Sequence, residues 1–234
     1  MKKKLVISSG AGISAESGIS TFRDSDGLWE NYPVMEVCSA DGFACNPALV
    51  HEFYNMRRRD LLTKQPNDAH RILVDLEKHF DVKVITQNVD DLHERAGSSD
   101  VLHLHGELMK IRSISNPSYL EEVDPRDPDT NPQTRGRNGD LMRPHIVFFQ
   151  EPVPMMEEAV RIVSEADIFV VIGTSLVVYP AAGLINYVRP GVPIYYIDPN
   201  PAPQACGVPG ITVIKAGASE GMALLEKTLL DQYS

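Results

Sequence analysis

The chain is poor in cysteine, with three among 234 residues, Cys38, Cys45 and Cys206, and no two of them form a C-x-x-C pair. That excludes a disulfide framework and a zinc ribbon, and it fits a reducing compartment. Long apolar runs are missing as well. No stretch approaches the roughly 20 residues needed to span a bilayer. In MKKKLVISSG the apolar part is too short for a secretory signal, so a cytoplasmic protein is expected. Clustered positive charge is confined to MRRRD (56–60) against a net charge of −10, which argues against nucleic acid as a partner. Internal repeats and low-complexity tracts are also absent.

What is present is the composition of an ordinary globular chain, 43% hydrophobic and 23% charged, long enough for one sizeable core or for a domain carrying a smaller insertion. Short β-rich runs alternate with amphipathic stretches: KLVISS (4–9), VKVIT (82–86), VLHLH (101–105), HIVFF (145–149), DIFVVIGT (167–174), PIYYID (193–198) and ITVIK (211–215). Most are continuously apolar, as strands buried on both faces of a parallel sheet must be. Between them, PNDAHRILVDLEKHF places Ala69, Ile72, Leu73 and Leu76 on one helix face behind Asn67 or Asp68 as cap, and SEGMALLEKTLLDQY closes the chain as a helix.

This alternation predicts an α/β fold with a doubly wound parallel sheet. Residues 31–80 read as helices and loops without a strand, and 112–145 as a polar stretch rich in Pro, Asp and Asn. The expected division is a sheet domain of residues 1–30, 81–110 and 144–234 with a small helical and loop module of 31–80 and 111–143.

The stretch SGAGISAESGISTFR (9–23) follows the first strand as a glycine turn able to cradle a phosphate on backbone N–H groups at a helix start. It is a poor match to a reusable dinucleotide site, because Gly10, Gly12 and Gly18 do not keep the G-x-G-x-x-G spacing and no second strand follows before Trp29. Arg23 adds a charge for phosphate. Read alone, the turn is equally a plain tight connection between strand and helix.

Other strand ends add to it. TQNVDDLHERAG (86–97) sets Gln87, Asn88 and Asp90 just past a buried strand, where open α/β sheets place ligands. These groups suit a ribose and a carboxamide, though they are also able to cap the following helix. In VLHLHGEL, His105 stands at a strand end facing that crevice and is the candidate base, whereas His103, two residues deeper, is the structural candidate. VVIGTSLVVYPAAGL offers Gly173, Thr174 and Ser175 to a phosphate or ribose, and YYIDPNP offers Asp198 and Asn200 to the adenosine ribose.

With the blocks GAGISAESGISTFRDSDGLW, TQNVDDLHERAG, LHGEL, RPHIVFF, GTSLVVYPAAGL and AGASEG in order from residue 10 to about 221, the chain resembles the sirtuins, NAD-dependent protein lysine deacylases. The resemblance implies a Rossmann-like domain with a smaller module, and NAD as a consumed co-substrate. In that chemistry the acyl oxygen of a modified lysine attacks the ribose carbon bearing nicotinamide, and the products are free lysine, nicotinamide and O-acyl-ADP-ribose. His105 takes the role of general base, with Asn88 and Asp90 beside it as catalytic groups.

The resemblance also implies that Gly10, Ala11, Gly12, Ile13, Glu16, Thr21, Phe22, Arg23 and Trp29 line the NAD site, with Phe22 shielding the reactive ribose. Gln87 and Asp90 order the ribose hydroxyls, and Asn88 and Asp90 meet nicotinamide. Gly173, Thr174, Ser175, Asn200 and Ala218 complete the adenosine side, and Val147 and Phe148 flank an acyl-lysine channel. The expected partners are acyl-lysine proteins as substrates, with no nucleic acid or membrane, and the enzyme is expected to be a monomer.

In EFYNMRRRD, Tyr54 and Arg57 stand three apart on one helix face, where a phenol and a guanidinium clamp a carboxylate. The sirtuin subgroup that this segment resembles recognises succinyl- or malonyl-lysine in this way. The alternative is a solvated basic face with Tyr54 in the core. The sequence departs from the family pattern at one place above all: most sirtuins carry two C-x-x-C pairs for a structural zinc, and residues 106–143 here contain no cysteine. His145 and the aspartates 124, 127, 129 and 140 are scattered in a Pro-rich loop and read as solvated groups, so no zinc or other metal is expected. Gln150 stands where the family usually has glycine, and Ser20 where proline or arginine is more usual. Two further classes stay open: an ADP-ribosyltransferase or NAD hydrolase on the same fold, and a nucleotide-binding module without catalysis, against which His105, Asn88 and Asp90 argue.

Overall fold

A computed structural model of the chain describes residues 2–21, 28–29, 31–202 and 210–233. Among the described residues the strands are β1 (Lys4–Ser9), β2 (Leu28–Trp29), β3 (Tyr32–Pro33), β4 (Asp81–Thr86), β5 (Val101–His103), β6 (Gly106–Ser113), β7 (Leu120–Glu122), β8 (Met142–Ile146), β9 (Ile168–Ile172), β10 (Ile194–Ile197) and β11 (Ile211–Ile214). The α-helices are α1 (Val34–Val37), α2 (Ala40–Cys45), α3 (Pro47–Leu61), α4 (Asp68–Leu76), α5 (Leu92–Ala96), α6 (Met156–Ser164) and α7 (Ala218–Tyr233).

Six strands form one sheet in the order β11-β10-β9-β1-β4-β5, every neighbouring pair parallel. The apolar runs are continuous because both faces are covered. Leu5, Ile7, Val84 and Val170 pack on one side under Leu73 and Leu76 of α4 and Met222, Leu225 and Leu229 of α7. Val6, Ile85, Phe169 and Val171 pack on the other under Ala159 and Val163 of α6 and Leu184. Each such fully buried side chain contributes about 1.5–3 kcal/mol. Asn67 caps α4 as expected, its Oδ1 accepting from Ala69 N at 3.0 Å, and its Nδ2 reaches back to Ile13 O at 2.7 Å, tying the helix to the turn after β1.

The strand order turns back on itself between β1 and β9. Their connections meet there. Gly10 N donates to Ile172 O (3.0 Å) and Gly12 N to Gly173 O (2.8 Å). A methyl group on Gly12 would lie 2.6 Å from Gly173 Cα, so the two backbones touch where only glycine fits.

The stretch HIVFF does not join the parallel sheet. The chain leaves β5 at His103, reverses at Gly106 (φ +86°) and runs as β6 between β7 and β8 in a three-stranded antiparallel sheet. The strand on the RPHIVFF block is Met142–Ile146, and β7 lies inside the polar stretch read as loop, because Leu-Glu-Glu is too short and too polar to register as a strand. A two-residue pair, β2 with β3, likewise precedes the helices of residues 31–80.

Helices α1 to α3 build a third apolar cluster with this small sheet, including Val37, Val50, Phe53, Tyr54 and Phe148. Arg58 is fully buried at its edge. It donates from Nε to Leu108 O (2.8 Å) and from Nη1 to Asn55 Oδ1 (3.0 Å) and Thr130 Oγ1 (3.1 Å), while Asn55 Nδ2 donates to Thr130 O (2.8 Å) and His51 pairs with Thr130 Oγ1 (2.8 Å). This polar knot holds the cysteine-free loop against α3.

Gly12→Ala forces backbone apart at the strand crossover and is expected to cost about 2 kcal/mol, lowering Tm by roughly 4–8 °C in a melting experiment. Burial lowers the pKa of His51 and of His70 from 6.5 to about 4. The unfolded chain therefore binds more protons between those values, and stability measured by denaturant titration is expected to fall as pH drops from 6.5 toward 4.

Candidate active site

The register of the parallel sheet sets Ser9 beside Thr86 and Ile172, Thr86 beside His103, and Ile197 beside Ile172 and Ile214. All six strands thus end in one row, and the residues just past it share one edge. After β1 the chain makes two 3-10 turns, Ala11–Ile13 and Ala15–Ser17, rather than the α-helix expected behind the glycine turn. The tighter winding drops Ser14 beneath the turn, fully buried.

Ser14 is the residue that the sequence reading passed over. Its hydroxyl donates to Asp90 Oδ2 (3.0 Å) and accepts from Asn88 Nδ2 (3.2 Å), joining the turn after β1 to the loop after β4. A hydroxyl among the apolar and glycine residues of GAGISAESG was the only available signal. Burial raises the Asp90 pKa, against the Leu92 N–H and the Ser14 hydroxyl that favour its charged form. Asp90 Oδ1 accepts that Leu92 N–H at 3.2 Å, so the residue also serves the start of α5.

His105 is half-buried, and its Nδ1 lies 3.0 Å from Gln87 O. A carbonyl only accepts, so Nδ1 carries the proton and Nε2 keeps its lone pair. Burial lowers the His105 pKa, partly opposed by that carbonyl, and the ring is neutral at pH 7. Gly106 fixes the exit from this position, since a Cβ there would sit 2.0 Å from His145 O. His103 is held between Asn88 O (3.0 Å) and Glu94 Oε1 (2.8 Å). Burial alone would lower its pKa, but Glu94 leaves it raised, as suits a structural ion pair.

Gln87 Nε2 donates to Thr174 Oγ1 (3.4 Å), and Val147 N donates to His105 O (2.9 Å). A chain of direct contacts therefore runs from Val147 through His105, Gln87 and Thr174 to Gly173 and Gly12. Thr174 O accepts from the Tyr196 hydroxyl at 3.0 Å, and Ser175 follows, half-buried. Asn200 is exposed past β10, its N–H turned to Asp198 Oδ1 (2.8 Å). Ala218 is buried at the start of α7. Glu16 Oε1 accepts from Ser219 N (3.1 Å), which commits it to that helix start. Ala11 and Thr21 are half-buried and Ile13 lies in the core. Phe22 and Arg23 lie outside the described residues, and the Trp29 backbone pairs with Tyr32.

Tyr54 and Arg57 are both buried, at 1% and 8% exposure, so the basic run on α3 is not a solvated face; Arg59 alone of the three arginines reaches out, to Glu52 and Asp129. The Tyr54 hydroxyl donates to Cys38 Sγ (3.6 Å), and its ring stacks on Phe148 at 5.9 Å. Burial pushes the Cys38 thiol up to about 11, against Tyr54 and the Arg57 charge. Among the described residues no three His, Cys, Asp or Glu side chains are grouped to hold a metal, and no helix is long and apolar enough to cross a membrane.

The Sir2 family model matches residues 10–180. A Bacteroides thetaiotaomicron protein named NAD-dependent protein deacylase is 52% identical, over 97% of this chain and 98% of its own. A Helicobacter pylori protein of the same name is 49% identical over 99% and 100%. Among solved structures, a Sir2 homologue bound to ADP-ribose superposes with a TM-score of 0.88 at 39% identity, covering 98% of this chain and 93% of its own, and a Sir2 homologue–NAD complex with 0.87 at 39%, covering 100% and 91%. By sequence and by fold, the chain belongs to the Sir2 family.

Proposed function

We propose that this enzyme removes acyl groups from protein lysines with consumption of NAD, and that succinyl- and malonyl-lysine are preferred substrates alongside acetyl-lysine. The observation that carries the reading is the continuous contact chain from Val147 through His105 to the glycine pair, with a neutral imidazole in its middle. NAD supplies a ribosyl bond to nicotinamide that is broken in the reaction. The crevice fits it: the glycine turn after β1 and the turn at Gly173 and Thr174 meet at backbone distance beside it, and the buried amide and acid of Asn88 and Asp90 lie past the neighbouring strand end.

In this reading Gly10, Ala11, Gly12, Ile13, Thr21, Phe22, Arg23 and Trp29 line the phosphate and ribose side, and Gly173, Thr174, Ser175, Asn200 and Ala218 the adenosine side. Glu16 supports that side through Ser219. Gln87, Asn88 and Asp90 orient ribose and carboxamide, with Ser14 fixing the last two. His105 Nε2 withdraws a hydroxyl proton, while the Gln87 carbonyl stabilises the imidazolium that forms. Val147 and Phe148 flank the lysine, and Tyr54 with Arg57 takes the far carboxylate of a dicarboxylic acyl group, donating charge-assisted hydrogen bonds.

The division into a sheet domain of residues 1–30, 81–110 and 144–234 and a module of 31–80 and 111–143 belongs to the same reading. So does action on acyl-lysine proteins as a cytoplasmic monomer, supported by the acidic charge and the scarcity of cysteine. A buried phenol and guanidinium favour a deacylase over a hydrolase, which has no acyl group to hold.

Mass spectrometry of succinylated and acetylated lysine peptides, incubated with and without NAD, tests the assignment; nicotinamide release with both peptides intact would overturn it. His105→Ala is expected to lower turnover by about 10²–10⁴-fold with the fold unchanged by circular dichroism. The wild-type pH profile is expected to lose activity only below the ordinary histidine value of 6.5, because the base is already neutral above its lowered pKa. Arg57→Met is expected to reduce desuccinylation by roughly 10–100-fold, the loss of charged hydrogen bonds, and deacetylation far less; equal losses would discard the clamp.

A further inference from the structure

Among the described residues, the hydrogen bonds of Arg143 go to Glu151 and Ile146 rather than to groups assigned above to NAD, and nearly its whole side chain is buried against Phe148. Its guanidinium carbon lies 3.8 Å from the Phe148 ring centroid and 5.0 Å from that of Phe43. Phe148 in turn stacks on Tyr54, and Phe43 tilts against Phe148 at 5.7 Å. Arg143 is therefore two contacts from the acyl clamp.

Glu151 braces this arrangement. It accepts from Arg143 Nη1 (2.6 Å) and Nη2 (3.3 Å), from Arg112 Nη2 (3.0 Å) and from the Phe148 backbone N–H (2.9 Å). Arg143 Nη2 also donates to Ile146 O (3.0 Å). One ion pair thus spans residues 143–151 and holds both the backbone and the ring of Phe148.

As a device for stability alone this is a poor choice. Desolvating a guanidinium and a carboxylate offsets most of their attraction, and Arg143 Nε is buried without a partner. An aliphatic side chain would cover Phe43 and Phe148 without either cost. What the planar cation adds is orientation: a flat group over a ring fixes the plane in which the ring lies.

We propose that Arg143 is a positioning residue for acyl-lysine binding, holding the Phe148 ring in the plane that stacks on Tyr54. The proposal rests on the reading of Phe148 and Tyr54 as channel residues. A lysine at 143 keeps the charge and the pair with Glu151 but loses the planar stack and the fork that reaches Ile146 O. Its effect should fall on the peptide, whatever the acyl group, and leave NAD alone.

The test is steady-state kinetics of Arg143→Lys with acetylated and succinylated peptides, varying peptide and NAD separately, with Arg57→Met run in parallel. The expected result is a rise of about tenfold in KM for both peptides, with kcat and the KM for NAD within about twofold of wild type. An unchanged peptide KM, or peptide and NAD constants rising together, overturns the proposal. If Arg143→Lys does not fold, Glu151→Gln keeps the acceptor for Phe148 N–H while removing the charge that holds the guanidinium, and the same split decides. Arg57→Met with an unchanged ratio of succinyl to acetyl activity overturns the channel reading itself and the proposal with it, whereas a changed ratio beside an unaltered Arg143→Lys removes the positioning role alone.

Discussion

The contact between Gly12 and Gly173 is the constraint on which the carboxyl edge of the sheet depends. Parallel strands hydrogen-bonded in register end in a common row, but a crevice opens only where the chain leaves two neighbouring strands in opposite directions. Here those strands are β1 and β9, and their connections have to pass at backbone distance because Gly12 N donates directly to Gly173 O. Side chains at either position would separate the loops and widen the crevice floor. The same approach leaves the chain after β1 no room to enter an α-helix at once, so it winds into 3-10 turns and delivers Ser14 under the loop of Asn88 and Asp90.

From that floor the electrostatics follow. Ser14, Asn88 and Asp90 are all buried, so each polar group there is costly unless partnered, and the three partner one another. Next to them His105 is held neutral by burial and oriented by a single backbone carbonyl. His103, two residues earlier, has the opposite environment, with a carboxylate at 2.8 Å. Two imidazoles on one short stretch are thereby given different protonation habits by position alone, one suited to accept a proton and the other to stay paired.

Much of this was legible in the sequence. Runs such as DIFVVIGT announce strands covered on both faces, and residues set just past them were expected to share one edge because strand ends in register form a row, as they do here. His105 was separated from His103 by the same logic. What stayed hidden depended on through-space partners. The antiparallel sheet was missed because β7 is three residues with two glutamates, whose pairing with β6 exists only after Gly106 turns the chain back. Ser14 was missed because a serine in a glycine turn reads as solvated until the turn is known to be 3-10. The bond from Ser219 N–H to the Glu16 carboxylate, which links the turn after β1 to the start of α7, was equally invisible before the fold was known.

The missing thiolates change how the small module must be held. A metal bound by four sulfurs fixes a loop through bonds that need no particular neighbour; without cysteine, the loop after residue 123 has to be fastened from outside. Arg58 does this from α3. It reaches Leu108 O, Asn55, Thr130 and Pro128 O at once, and burial lowers its pKa to about 10 without discharging it at neutral pH. Arg57, the adjacent residue, is buried close enough to Tyr54 and Cys38 for its charge to act on both. Successive positions of one helix thus serve separate tasks: Arg58 anchors the cysteine-free loop to α3, while Tyr54 and Arg57 of the same helix are buried, Tyr54 against Phe148. The fastening of the module and the burial of Tyr54 and Phe148 are therefore one mechanical problem, and the segment of His105 joins it through Val147, whose N–H rests on the His105 carbonyl.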